Sequence, residues 1–447
     1  MGPELIAITG IIIWIILGTS YLKWHPFIVL LLAALGLAFL LGIPATEVPG
    51  VISEGFGNMF AAIGLLILFG SWIGVSLEAT NGTTAIARGI LKAMSRLPMQ
   101  YVLGFLGYLV SIPVFCDAAF VILAPIAKKL SRGSKKYKNA LVVALSTGLF
   151  SSHVLVPPTP GPLAAAANLQ LKNISLLLLF GGLLAFLLML SGATFAYFMS
   201  AKNKEELQAE HPVSSTEYES TPTLPSFRMA ILPLLIPIFL MALKSIVPLM
   251  IDGKNIFSQI ISFLGSPAIA LLLGAVAGFW MCFKHGTTLN KVIEKGILQA
   301  APILLITAMG GALGKIIGYA SLTDNLGLDM FQNSWGLALP FLLSALLKSA
   351  QGSSTVAIIT VSSLMFPLLG VLGLDSEMGK VWVILAVGAG AVTVSHANDS
   401  YFWIVSQMGE LPVKQAYKTH TLATLIQGIT GLIFILAGHA IWQVFYS

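Results

Sequence analysis

SIPVFCD, residues Ser111–Asp117, sets a proline and a carboxylate in the middle of apolar sequence. The surrounding segment Met99–Ile126 is long enough to cross a membrane, but three features oppose a simple crossing. Pro113 removes a backbone donor in mid-segment. Asp117 follows within one turn. Basic loops flank both ends, with Arg88, Lys92 and Arg96 before it and the cluster Lys128–Lys138 after it. If both loops lie in the cytoplasm, the chain must enter and leave on one side, as a re-entrant hairpin whose tip is near Pro113–Asp117.

The rest of the chain gives that reading its setting. Of 447 residues, 57% are hydrophobic and only 9% charged, and the mean hydropathy is +0.91. Soluble domains carry about 25% charged residues, so a soluble core does not account for this balance. Apolar runs long enough for a hydrocarbon layer of ~30 Å recur from end to end. The net charge of +6 reads as loop charge that sets orientation, and no nucleic-acid footprint is implied. Cys116 and Cys282 lie in apolar surroundings and indicate neither a disulfide framework nor a metal site. Met1–Leu22 lacks a basic leader and a small-residue cleavage site, so it is expected to be the first span.

Further spans are expected at Phe27–Ile43 and Met59–Leu77, with Pro44–Asn58 as a loop between them. SSHVLVPPTPGPLAAAANL (Ser151–Leu169) carries four prolines between Pro157 and Pro162, which no helix continues through. At membrane depth such irregular backbone is tolerated only against protein or a water-filled cavity. The stretch 139–169 is therefore expected to be a broken helix, and Ile174–Ser200 a crossing. Residues 201–228 are hydrophilic and read as a cytoplasmic linker.

After the linker the plan repeats. Spans are expected at Met229–Met250, Ile260–Phe283 and Ala300–Ile317, a hairpin over 335–370 with the polar tip KSAQGSST (Lys348–Thr355), a broken helix over 380–410, and a closing span at Thr421–Tyr446. Gly70 and Gly74 align with Gly310 and Gly314, and SSHV at Ser151 with VSHA at Val394. The fold class is an all-α polytopic membrane protein with two inverted repeats, residues 1–200 and 229–447. Each has about five transmembrane helices plus one re-entrant hairpin, with broken helices at the substrate site, a plan of many secondary transporters. Cytoplasmic basic loops then hold most of the 24 Lys and Arg. Glu47, Glu54, Asp252, Asp324, Asp329, Asp375 and Glu377 lie outside with Lys172, Lys254 and Lys380, the positive-inside bias. Both chain ends fall outside on this count.

An ionisable group at the bilayer centre costs ~2.5–3.5 kcal/mol on insertion scales, so each one needs a reason. Asp117 reads as a helix-capping carboxylate or as a proton or cation site. His153 and His396 precede the two breaks and either pin a carbonyl or, titrating near physiological pH, carry protons. Asp399 joins them as a proton-coupling candidate. Ser353, Ser354, Thr355, Thr159, Gly161, Asn398 and Ser400 lie at helix starts or in breaks. Backbone N–H groups and the positive dipole end there suit a carboxylate, although the same hydroxyls also serve as ordinary caps. Lys315 and Lys348 are possible countercharges, and Lys348 either pairs with Asp399 or snorkels to an interface. Glu78 reads most simply as solvated. The expected division puts the coupling ion on the Asp117 side and the substrate nearer Ser353–Thr355.

Four stretches, IPVFCDAAFVILAPIA (Ile112–Ala127), HVLVPPTPGPLAAA (His153–Ala166), SSTVAIITV (Ser353–Val361) and SHANDSYFWIV (Ser395–Val405), resemble the signatures of the gluconate permease family of gluconate:H⁺ symporters, within the ion transporter superfamily. The resemblance spans both halves. It implies a multi-pass plasma-membrane (bacterial inner-membrane) importer of gluconate or a related small sugar acid or hydroxy acid with protons, needing no cofactor. It also implies a homodimer in which a transport domain bearing the two hairpins moves like an elevator against a scaffold. By motif position Asp117, His153, Ser353, Thr355, Asn398 and Asp399 inherit site roles. Cys116 stands where an aromatic is usual, Thr159 where many members have His, and LEATNG (Leu77–Gly82) replaces a small-residue form; these departures bear on the substrate. Sodium coupling and a D-amino acid or other organic-anion substrate are the near alternatives. A passive channel and a hydrolase with His153 and His396 on a metal are the distant ones, and no HExxH-type pair supports the latter.

Overall fold

In the computed structural model the described residues are 3–131, 134–201, 224–250, 255–319 and 334–446, and among them all regular structure is helical. Most of the expected linker (202–223) lies outside the described residues, as do Asp252, Lys254, Asp324 and Asp329. Among the described residues, several helices have the length and composition to cross a membrane, including Val48–Ala79, Ile174–Ser200 and Leu289–Ile317.

The first half comprises α1 (Pro3–Ile16), α2 (Pro26–Leu40), α3 (Val48–Ala79), α4 (Gly82–Ala93), α5 (Met99–Val110), α6 (Cys116–Leu130), α7 (Lys135–Leu155), α8 (Pro160–Asn168) and α9 (Ile174–Ala201). The second comprises α10 (Phe227–Met250), α11 (Ile256–Leu264), α12 (Pro267–Lys284), α13 (Leu289–Ile317), α14 (Ala338–Gln351), α15 (Ser354–Met365), α16 (Glu377–Val392), α17 (Ser400–Met408), α18 (Val413–Ala416) and α19 (Leu422–Tyr446).

Two expectations need correction. Residues 48–58 are not a loop but the first turns of α3. They carry Glu54, which pairs with Lys315 on α13, and Gly55, where an added Cβ would come within 2.8 Å of the Ala312 backbone. The ion pair and the close contact offset the low hydropathy that reads as a loop. The expected span Ile260–Phe283 is divided at Gly265–Ser266 into α11 and α12. Gly265 lies against the Leu240 carbonyl of α10, leaving no room for a side chain, and Pro267 opens the next helix.

α3 and α13, the helices of the matched glycine pairs, pack along their length and run antiparallel. Glu54 at the start of α3 pairs with Lys315 at the end of α13, and Glu78 at the end of α3 with Lys295 near the start of α13, at 2.8 Å. The two broken helices are also antiparallel. At one end of the molecule, backbone N–H groups of Lys172 and Asn173 donate to Glu377 at the start of α16. At the other end, Lys128 and Lys138, flanking the α6–α7 connection, pair with Glu410 just past α17, at 2.9 and 3.1 Å.

α1–α4 and α10–α13 form one packed group, and α5–α9 with α14–α19 form the other, joined chiefly where α8 meets α3 and α15 meets α13. The second group packs closely. Gly148 of α7 lies where a Cβ would stand 2.0 Å from the Gly104 carbonyl of α5, the small-residue contact that lets membrane helices approach.

Candidate functional site

α5 and α6 are joined by a tip at Ser111–Phe115, and α14 and α15 by a tip at Gly352–Ser353. Phe115 at the first tip meets the His153 ring edge-on, with centroids 6.3 Å apart. The second tip requires a glycine: Gly352 has φ +80°, and a Cβ there would lie 1.7 Å from the Asn398 carbonyl. The Asn398 amide in turn donates to the carbonyls of Ser349 and Ala350. Each tip therefore seats against the helix break of its own half. The second arms cross over: α15 lies on α8, where Asn168 donates to the Ile359 carbonyl at 2.9 Å and to Ser362 at 2.8 Å. α6 lies on α17, with the rings of Phe120 and Tyr401 6.1 Å apart.

Between these elements Lys348 is 1% exposed, on the last turn of α14. Its Nζ lies 3.1 Å from Asp399 Oδ2 and donates to the Val394 carbonyl at 3.0 Å. Of the two sequence readings for Lys348, the structure has the pair. Asp399, 5% exposed, caps α17 by accepting from the Tyr401 N–H at 3.0 Å, and its Oδ2 accepts from Ser395 Oγ at 2.6 Å. Val394 has φ +54°, which a β-branched residue adopts only under strain, and such strain concentrates at functional sites. The extended backbone of this break is held by α19 and the turn before it: Thr424 accepts from the Ser395 N–H, and Thr421 donates to the Ser395 carbonyl.

Asp117 sits in the first turn of α6, beyond the N-cap Phe115, and accepts a long contact of 3.8 Å from Cys116 Sγ. It lies within electrostatic reach of Asp399, as do His153 and His396. His153 is buried with an unpartnered Nδ1. Ionisable groups from the first tip and the first break thus stand near Asp399 at the second break. Ser353 caps α15 through the Val356 N–H, and Ser354 and Thr355 are half-buried beside it. Asn398 and Ser400 are exposed at the second break.

Thr159 and Gly161 lie at the first break, where the first tip lines the same gap, and Lys315 and Glu78 lie apart. Thr159 faces a small gap of about 10 Å³ between α3, the first tip and the first break, and its hydroxyl donates to the Val156 carbonyl. Gly161 gives α8 its close contact with Ile358. Lys315 is remote from the cluster, engaged by Glu54. Glu78 is taken up by Lys295. A roomier crevice of about 320 Å³ lies among Phe180, Trp382, Phe434 and Trp442, and its apolar walls offer nothing to an anion.

Sequence reading missed several members of the cluster. His420, fully buried in the π-turn before α19, shares a hydrogen bond of 3.1 Å with Ser146. Tyr401 donates to the Ser146 carbonyl, and the Phe150 ring centroid lies 5.7 Å from Lys348 Nζ. No spacing rule links residues so far apart in sequence. Only the lone histidine at the edge of an apolar run was a signal for His420. Among the described residues there is no group of three or more His, Cys, Asp and Glu placed to hold a metal.

Comparison with known proteins agrees with this architecture. A "GntP family permease" model matches residues 3–441. An uncharacterized permease of Haemophilus influenzae is 33% identical, over 96% of this chain and 90% of that protein. A gluconate permease of Pseudomonas aeruginosa is 29% identical, over 97% and 96%. The crystal structure of the Alcanivorax borkumensis YdaH transporter superposes with a TM-score of 0.67 at 15% identity, covering 94% of this chain and 99% of that one, a likeness of fold alone. The chain is a multi-pass plasma-membrane protein and no enzyme: it belongs to the GntP family of permeases.

Proposed function

We propose that this permease imports gluconate or a related sugar acid together with protons, by elevator-type alternating access. The observation that carries the reading is the convergence of two hairpin tips and two helix breaks on one polar cluster, with Lys348, Asp399 and His153 buried and Asp117 half-buried. Lys348 offers the countercharge for a carboxylate. Ser353, Ser354, Thr355, Asn398 and Ser400, with Thr159 and Gly161 at the start of α8, offer hydroxyl, amide and backbone groups for a polyhydroxylated body. Asp117, His153, His396 and Asp399 are the groups available for protons. The substrate class follows the name of the Pseudomonas aeruginosa relative.

Helix lengths support re-entrant hairpins. α5 and α6 have 12 and 15 residues, and α14 and α15 have 14 and 12. At 1.5 Å per residue none much exceeds about 20 Å, short of a ~30 Å hydrocarbon layer. The antiparallel course of α3 with α13, and of the two broken helices, supports an inverted repeat. The two packed groups suit a scaffold (α1–α4, α10–α13) and a moving transport domain, and the resemblance to the wider superfamily favours a homodimer.

Counterflow of labelled gluconate in proteoliposomes, competed by a panel of sugar acids, hydroxy acids and D-amino acids, tests the substrate. Sugar acids are expected to compete best. Competition by D-amino acids alone, or no counterflow, overturns this assignment.

A further inference from the structure

We infer that the Lys348–Asp399 ion pair is the exchangeable element of the transport site: an incoming carboxylate replaces Asp399 at the Lys348 ammonium, and does so only as Asp399 takes up a proton. This rests on the reading as a proton-coupled sugar-acid importer and states where the coupling is made.

Both side chains are withdrawn from solvent, and their opposite charges cancel. Adding an anion alone would leave a net negative charge in this site, and adding a proton alone would strand the Lys348 ammonium without an anionic partner. A buried charge without a partner is heavily penalised. Adding both restores neutrality: Lys348 pairs with the substrate carboxylate, and Asp399 becomes a neutral carboxyl. Anion and proton therefore bind together, one for one. The proton arrives from the aqueous side and ends on an Asp399 carboxyl oxygen; no other bond forms or breaks.

The surroundings satisfy both states. When Asp399 is ionised, its Oδ2 accepts from Lys348 and Ser395, and its Oδ1 from the Tyr401 N–H. When Asp399 is protonated, the Ser395 hydroxyl can turn to accept the new proton, and the Tyr401 N–H bond persists. Lys348 keeps the Val394 carbonyl at 3.0 Å throughout. The replacement site lies beside the second hairpin tip, where Asn398 fastens the break to Ser349 and Ala350.

Other titratable groups face Asp399. Cys116 and Asp117 do so from α6, His153 from α7 and His396 from the break. Tyr401 does so from α17, His420 from the turn before α19 and Lys348 from α14. Each of these groups can exchange a proton, so the experiment separates Asp399 from them.

Gluconate and acetate are titrated into the purified full-length protein in detergent, in buffers of different ionisation enthalpy, so that proton uptake is read with affinity. For the wild type we expect a proton taken up with each anion, and an affinity that weakens by about tenfold per pH unit on the alkaline side, as one-proton linkage requires. Asp399→Asn should bind with no proton uptake and a flat pH profile. Lys348→Gln combined with Asp399→Asn keeps the site neutral and should fold but lose anion binding. Proton uptake persisting in Asp399→Asn, or wild-type affinity in the folded double variant, overturns the proposal and leaves proton symport standing through another group. Wild-type binding of gluconate without proton uptake overturns both. Binding of acetate but not gluconate, with proton uptake that Asp399→Asn removes, supports the exchange and removes the sugar-acid reading. Should Asp399→Asn not fold, wild-type proteoliposomes decide: gluconate uptake at a fixed pH gradient should ignore an imposed membrane potential, and a net current with each gluconate overturns the proposal.

Discussion

At the scale of residues, the site is a set of individually costly placements held in place by specific partners. Lys348 was legible as a functional candidate because a charge deep in apolar sequence needs a reason, and Asp399 stood in a polar break that no helix pattern absorbs. Tyr401 and His420 were not legible, because their role comes from Ser146, more than two hundred residues away in sequence. Gly352 looked like any glycine; its positive φ and the Asn398 carbonyl beside it are tertiary facts. Gly352→Ala should destabilise the fold by about 1–3 kcal/mol of backbone strain alone, and the clash with Asn398 adds to it. Thermal unfolding in detergent measures the first effect, and the variant should lose uptake more completely than it loses stability. Asp117 has no strong structural partner among the described residues beyond the long Cys116 contact. Asp117→Asn should therefore melt like the wild type and, with the exchanged proton on Asp399, keep gradient-driven accumulation; its loss would place coupling on Asp117. Normal accumulation by this variant removes Asp117 from coupling.

At the scale of elements, the interruptions at Ser111–Phe115 and Val156–Thr159 were legible from their prolines, which a helix does not continue through. The start of α3 and the division of α11 from α12 were not. The first depends on Lys315 meeting Glu54, and the second on the Leu240 carbonyl crowding Gly265. The hairpin reading makes a direct prediction. With Cys116 and Cys282 replaced by alanine, single cysteines at Arg96 and at Ser134 flank the first hairpin and should both react with an impermeant maleimide from the same face of the membrane. Reaction from opposite faces shows that the segment crosses.

Glu410 ties α6 and α7 to the end of α17, and hydrogen bonds from Lys128 and Lys138, with their charges, hold its carboxyl below the usual glutamate range. With the folded-state value depressed, the stabilisation is present above the unfolded value and lost as pH falls through the folded one. Glu410→Gln should accordingly lower the melting temperature slightly at neutral pH, with the difference closing in acid. The effect should be small and weakened by salt, because the carboxylate is exposed. A difference that grows on acidification contradicts the assignment.

At the scale of the whole molecule, α3 runs antiparallel to α13, and the pair α7–α8 runs antiparallel to α16–α17. The ion pairs at the two ends of α3 and α13 express that relation with the charges exchanged: Glu54 of α3 meets Lys315, and Lys295 of α13 meets Glu78. The periodic apolar runs made the membrane class legible. The packing of hairpin arms across the halves, α15 on α8 and α6 on α17, was not, because it joins residues that no local pattern relates. That crossed packing brings both tips and both breaks together. The most direct test of a proton-coupled importer built on it is uptake of labelled gluconate into proteoliposomes under an inward proton gradient, with and without sodium. The expected result is accumulation above equilibrium that follows the pH gradient and needs no sodium. Accumulation that requires sodium and ignores the pH gradient would contradict it.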